Sequence, residues 1–533
     1  MVKLALDGSD RYLFISAKPA PNGGVHLGHL AGPYLRQDML RRHYRSRGAA
    51  VTVVCGTDPV DSFIALRAVQ DGRDPDQVAH GYFAQIQSDF AAHDIVFDAF
   101  IDPLSDDWRE RYVASFAEVL AHAKTAGRLR VDTVPFPFRG KDGPGASGAW
   151  LCGGCPDCGA GVSGYFCEDC GAHFDPSEVR APRLRFPGED LVFEPSADSF
   201  FDIADPDARL ASLARIGVPE QLRAVVARQF GAGRTRIRLT EPSEWGIPVE
   251  PGARSRYFGH GLLYGYCRLL GDLYREVTGD RVHPFDAESS VTSVNLFGID
   301  NTVSHMVNIQ AVGEEVAGWK GFDGFVVNRF LRLEGRKIST SARHLIQAAD
   351  LTGSCGLESD GIRFTLAATS PTHTEVDLHV EDFVRTYNEV FVDSVCRAVV
   401  AEAEELRGEP AIAPSEEITR RFEEVFTRVC DGHRFPVYDP AEQVRTVLDW
   451  MATRSGAGPT DRYGRLKGLA LLLYPISPRL ATWAWRSLGA DGEPAYAAYA
   501  RPTVPRPVDS PPVPPYANPQ RLRAAIPTAG ALR

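Results

Sequence analysis

No apolar leader opens this chain, and no run of about 18 apolar residues occurs in it. Those absences argue against a membrane-spanning or secreted protein and predict a cytoplasmic one with no membrane among its partners. Positive charge is also short: Lys and Arg number 58 against 69 Asp and Glu, a formal net charge of −11. A globally basic binder of polyanions is thereby excluded, and any such contact must use a local basic face. No internal repeat is present, which sets aside solenoids and propellers. What remains is an ordinary globular composition, 44% hydrophobic and 24% charged, in 533 residues. That length exceeds what one core supports and predicts about two to four domains.

The stretch that says most is His26-Leu27-Gly28-His29. An apolar run from Tyr12 to Ala17 precedes it and reads as a strand; a periodic segment from Leu30 to Arg47 follows and reads as a helix. A helix start offers unpaired N–H groups and the positive end of a dipole. Gly28 lets a nucleotide approach the backbone, and imidazoles can hydrogen-bond a phosphoryl group as its charge grows. Far downstream, Lys337-Ile338-Ser339-Thr340-Ser341 follows a strand-like run, Phe325 to Leu333, and a Glu334-Gly335 turn. A lysine among hydroxyls can cradle a polyphosphate, although a solvated polar loop has the same composition.

Two C-x-x-C knuckles, Cys155 with Cys158 and Cys167 with Cys170, each precede a glycine. Four thiolates at this spacing suit a closed, structural zinc site. The alternatives are disulfides, rare in a cytosolic chain, or free core cysteines. Cys152 forms an overlapping knuckle with Cys155, so the choice of four stays open.

Together these three features resemble the class I aminoacyl-tRNA synthetases, and among them the methionyl-tRNA synthetase family. Pro19, Asn22, Gly56-Thr57-Asp58, Trp245-Gly246-Ile247-Pro248, Phe297-Gly298-Ile299-Asp300 and Leu472 to Pro478 match family motifs in the family's order. The resemblance implies an α/β fold: a Rossmann-like doubly wound parallel sheet, split by a zinc-binding insertion and followed by an α-helical bundle. The expected division is 1–118 for the first half of the catalytic domain and 119–240 for the insertion. The second half would span 241–345, a linking element 346–380, the bundle 381–500 and a Pro-rich tail 501–533, an extended strap or disordered.

The resemblance also implies a reaction, ATP-dependent formation of an aminoacyl adenylate. His26, His29 and Lys337 would be catalytic. Pro19, Asn22, Gly28, Gly298, Asp300, Lys337, Ser339 and Ser341 would bind ATP with its Mg2+. Asp58 would accept the α-ammonium of the amino acid, and Ala17, Lys18, Gly259, Tyr266, Asn301 and His305 would surround it. Zn2+ would be structural.

The departures from the family carry as much information. Where the family has a leucine, a tyrosine and a tryptophan around the methionine side chain, this chain has Lys18, Ala20 and Gly259; an isoleucine is replaced by Asn301. Two aromatic walls are lost, and a positive charge stands where a thioether should lie. Thr340 replaces a second lysine in the phosphate loop. The anticodon-reading pattern is absent from the first bundle helix, and the segment with its Pro-Trp pair is missing after Trp450.

These features predict a ligase that activates glycine or glutamate and passes the acyl group to an acceptor such as a biosynthetic amine, with tRNA a further candidate partner. Relatives of that kind couple a hydroxylated lysine through a cupin half. No cupin-like His-rich stretch is present here, so a partner enzyme would be separate. A divergent methionine–tRNA ligase and a non-catalytic binder are the competing readings.

Overall fold

The computed structural model describes residues 3–339, 343–453 and 458–527. At its centre five parallel strands form one sheet: β1 (Arg11–Ser16), β2 (Ala50–Gly56), β3 (Ala99–Ile101), β4 (Thr292–Gly298) and β5 (Gly324–Asn328). Their order is β5-β4-β1-β2-β3. The chain therefore winds outward from β1 in one direction, then returns to build the other. The crevice beyond the carboxyl ends of β1 and β4 is the switch point where such sheets bind ligands.

The sequence of β1 explains its central place. Leu13, Phe14 and Ile15 are all fully buried, as an apolar strand covered on both faces must be. Phe14 joins a core that continues into the helical bundle. Leu13 and Ile15 point the other way, onto the helix Leu263–Thr278.

The segment after the histidine stretch is not the single helix its periodicity predicts. A turn at Leu27–His29 runs into Leu30–Tyr34, breaks there, and resumes as Leu35–Ser46. Pro33 lacks an N–H and disfavours helical backbone before it. Gly32 absorbs the break at φ −81° and ψ −130°, where its missing side chain also makes room for Asn328.

The insertion leaves on two long antiparallel arms, Leu129–Arg139 and Leu191–Asp202, with Arg236–Arg238 paired to the second. Between them lies a small sheet of Leu151–Gly154, Gly161–Ser163 and Arg180–Leu184 that carries the cysteines. Helix Arg109–Thr125 stays with the catalytic fold, where Phe116 and Val119 are buried against Leu263–Thr278.

Beyond β5, Leu331–Leu333 and Arg336–Lys337 form a hairpin. Its turn places Glu334 at φ 51° and Gly335 at φ 74°, the left-handed pair that a two-residue hairpin requires. The bundle follows, with Trp450 in its core, donating from Nε1 to the Arg465 carbonyl at 2.9 Å. The tail runs over the bundle, pairing Thr503 with Ile412, and ends in helix Pro519–Ala524 with Leu522 buried. Among the described residues no helix is long and apolar enough to cross a membrane.

One buried ionic network ties the bundle to the sheet. Asp38 accepts from Arg42 Nε and Arg363 Nη2, both at 2.7 Å, and Arg363 also donates to the carbonyls of Pro475 and Ile476 at 2.8 Å. Burial pushes the Asp38 carboxyl up, but the two guanidiniums pull it below its ordinary value. Removing one partner of a buried pair costs about 3–5 kcal/mol. Asp38→Ala should therefore lower the urea midpoint followed by circular dichroism. An unchanged midpoint would contradict this role for the network.

Candidate active site

His26 and His29 form a reciprocal cap. His26 Nδ1 accepts from the His29 N–H at 3.3 Å, and His29 Nδ1 accepts from the His26 N–H at 3.4 Å. The rings stack 3.6 Å apart and 12° from parallel. Because each Nδ1 accepts, each ring proton sits on Nε2. Burial pushes His29 down to about 4 and holds His26 well below its ordinary value, with His29 adding to the effect. Two neutral imidazoles thus present two N–H donors without repelling each other.

The lysine loop lies against this pair. The Leu27 N–H donates to Ile346 O at 2.9 Å and the Ala348 N–H to Val25 O at 2.8 Å. Ile338 covers Gly28 so closely that a methyl group there would stand 3.5 Å from Ile338 Cδ1 and 3.2 Å from the His26 ring. The contact to Ile338 would be an ordinary one, and the His26 ring would have to give by a few tenths of an ångström. Ser339 exchanges backbone hydrogen bonds with His344 at 2.9 and 3.0 Å; Thr340 and Ser341 lie outside the described residues. Lys337 packs over the Phe330 ring, 4.7 Å from its centroid, and pairs with Glu168.

The other residues expected to meet the nucleotide lie just beyond the carboxyl ends of β1 and β4. Pro19 is buried and its carbonyl accepts from the Asp58 N–H at 2.9 Å. The Asn22 N–H donates to Ala20 O at 2.9 Å. Gly298 ends β4, and a Cβ there would collide with Asp300 Oδ1 at 2.7 Å. Burial pushes the Asp300 carboxyl up, and a hydrogen bond from the Asn301 side chain pulls it back.

The residues expected to surround the amino acid lie around the ends of β1 and β2, the helix Leu263–Thr278 and the segment after β4. The Ala17 carbonyl accepts from Tyr34 Oη at 3.0 Å. Tyr266 is buried and donates to Thr57 O at 2.6 Å. Lys18 Nζ stands 5.1 Å from the centre of the Tyr266 ring, is sealed from solvent, and has no hydrogen-bond partner among the described residues. Asp58, Cys55, Cys267 and His305 all lie near enough to feel its charge. Asp58 is buried, which raises its carboxyl above the ordinary value. His305 Nδ1 meets Asn295 Oδ1 at 2.5 Å, and Asn295 donates its own amide to Ile15 O at 2.8 Å. His305 must therefore carry its proton on Nδ1, leaving Nε2 as an acceptor. A side chain at Gly259 would strike Val60 Cγ2 at 2.6 Å, so no tryptophan fits there as the backbone stands.

Cys155, Cys158, Cys167 and Cys170 converge with all four sulfurs within 4.8 Å of one another. The Cys155–Cys170 and Cys158–Cys167 separations are 3.7 and 3.6 Å. Disulfide sulfurs lie about 2.05 Å apart; a tetrahedral zinc ion with bonds of about 2.3 Å needs sulfurs about 3.8 Å apart. The donor set fits zinc. Cys152 stands aside, its Sγ 4.0 Å from Ser163 Oγ.

Sequence reasoning missed Glu168, because nothing in a knuckle announces a partner 169 residues away. It also missed Asn295, though a buried amide inside the apolar run of β4 was a usable signal.

The model of the tRNA synthetases class I (M) family matches residues 12–401. The chain belongs to this class I synthetase family. It is 27% identical over 411 residues to the methionine–tRNA ligase of Cytophaga hutchinsonii, covering 73% of this chain and 58% of that one. It is 26% identical over 470 residues to that of Salinibacter ruber, covering 83% and 61%. The chain thus spans about three-fifths of the length of these relatives. A crystal structure of Mycobacterium tuberculosis methionyl-tRNA synthetase bound by methionyl-adenylate superposes with a TM-score of 0.73 at 17% identity, over 95% of this chain and 100% of that one. That likeness establishes the class I synthetase fold.

The purified class I chain should carry about one zinc per molecule by plasma mass spectrometry. Cys158→Ala should lose it, whereas Cys152→Ala should keep it. Zinc retained by the first variant would exclude this ligand set.

Proposed function

We propose that this synthetase activates an acidic amino acid, glutamate foremost, with ATP, and passes the acyl group to an acceptor other than methionine tRNA. The observation that carries the reading is the Lys18 ammonium, buried and unpartnered beside Asp58. An unpaired buried charge is costly. A substrate carboxylate offsets that cost; a thioether does not. Glycine would leave the charge unanswered.

In this mechanism Asp58 holds the α-ammonium and Lys18 the side-chain carboxylate, so the α-carboxylate is aimed at the α-phosphorus of ATP. One carboxylate oxygen attacks, its bond to phosphorus forms, and pyrophosphate leaves with the electrons of the broken bond. The Nε2–H donors of His26 and His29 stabilise charge on the phosphoryl oxygens. Lys337, released from Glu168, neutralises the leaving pyrophosphate, and Asp300 accepts from the ribose hydroxyls. Mg2+ carried by the triphosphate would supply further charge neutralisation beside Lys337. The zinc knuckle would hold Glu168 in place opposite Lys337. The reduced thiolates of that knuckle fit a cytoplasmic setting.

The bundle supports the acceptor side of the reading. Anticodon bases stack on exposed aromatics, yet Trp450 and Trp485 are buried and Trp483 donates to the Asp509 carbonyl at 2.8 Å. A divergent methionine–tRNA ligase is disfavoured by Lys18 and Gly259, and a non-catalytic binder by the paired imidazoles and the adjoining Lys337.

ATP–pyrophosphate exchange over all twenty amino acids should be fastest with glutamate. Lys18→Met should cut that exchange by about 100-fold or more, as expected for a lost buried ion pair. Fastest exchange with methionine, or no effect of Lys18→Met, would refute the assignment.

A further inference from the structure

A second void, which adenylate formation does not use, lies between the insertion arms and the catalytic fold. It is a cavity of about 370 Å³ with a mixed polar and apolar lining. Glu241 and His260 form part of its wall. The same two side chains line a narrow crevice that reaches Asp58 and Gly259. They therefore stand between the cavity and the amino-acid pocket.

The charges around the cavity are mostly answered. Arg234 pairs with Asp157 and Glu178, Arg236 with Asp132, and Arg238 with Asp175 and Asp198. An anion entering there would find these guanidiniums already paired. Glu241 is different. It is 93% buried by its 7% residual exposure. One oxygen accepts from Ser147 Oγ at 2.8 Å, while Oε2 is buried with no partner among the described residues. His260 places Nε2 3.4 Å from Asp61 and likewise leaves Nδ1 buried and unmatched. A buried carboxylate oxygen at the wall of a cavity calls for a donor, and a cationic donor gains most.

We propose that this cavity binds the second substrate, a small primary amine whose ammonium docks on the free oxygen of Glu241 before the nitrogen attacks the adenylate carbonyl. The assignment rests on the adenylate-forming reading above and adds the acceptor and its site. One ammonium proton passes to Glu241 and frees the nitrogen lone pair. The nitrogen–carbon bond forms, the bond from the carbonyl carbon to the phosphate oxygen breaks, and AMP leaves with that electron pair. The second nitrogen proton goes to solvent water, giving an amide. Burial pushes Glu241 up to about 7 against the pull of Arg238, which suits a base working near neutral pH.

The test uses the full chain with ATP, glutamate and, in turn, lysine, ornithine, putrescine and ethanolamine. Amide is read by mass spectrometry and AMP release by its dependence on amine. At least one amine should yield amide. Glu241→Gln should lower that amine-dependent rate by about 100-fold or more while pyrophosphate exchange persists, and Glu241→Asp should restore part of it. Exchange with no amide from any amine, with bulk tRNA charged instead, would overturn the proposal. Undiminished amide formation in Glu241→Gln would do the same. So would loss of exchange in that variant, which would make Glu241 structural. Absence of exchange in the wild type would sink the underlying adenylate reading, and the acceptor site with it.

Discussion

Two short backbone contacts hold the site together. Val25 and Leu27, just before and within the first histidine turn, pair with Ile346 and Ala348, just after the lysine loop. Some three hundred residues of chain close on those hydrogen bonds. Without them a neutral imidazole pair and a cation would lie on separate loops. With them the segment after the lysine loop is paired to the histidine turn, and Ile338 of the loop lies over Gly28.

The electrostatics divide the work. The histidines are kept neutral by burial, so they donate hydrogen bonds without adding charge to a site that already holds Lys18 and Lys337. Lys337 has a protein partner in Glu168 that holds it weakly, since a half-exposed ion pair contributes only about 0–1 kcal/mol. Lys18 has none. Its ammonium is steadied by the face of Tyr266, an interaction of about 0.5–2 kcal/mol, which does not replace a counter-charge. A site built this way is complementary to a ligand that brings its own carboxylate.

Much of this was legible in the chain. The apolar run of β1, the glycine at the strand-to-helix turn and the cysteine spacing are local patterns, and the structure has a strand, a tight turn and four convergent sulfurs in those places. The Glu334-Gly335 turn was equally readable from its residues. What sequence concealed was either a local conflict or a distant contact. Periodicity carried the first helix straight through Gly32-Pro33, where proline breaks it. Glu168 and Glu241 acquire their meaning only from what the insertion folds against, and no spacing along the chain encodes that.

The most direct measurement is a crystal structure with a non-hydrolysable glutamyl-sulfamoyl adenosine. The account predicts Lys18 Nζ about 3 Å from the glutamyl side-chain carboxylate, Asp58 on the α-ammonium, and the sulfamoyl group against the Nε2 atoms of His26 and His29. A ligand that binds with its side-chain carboxylate in solvent and Lys18 still unpartnered would contradict it.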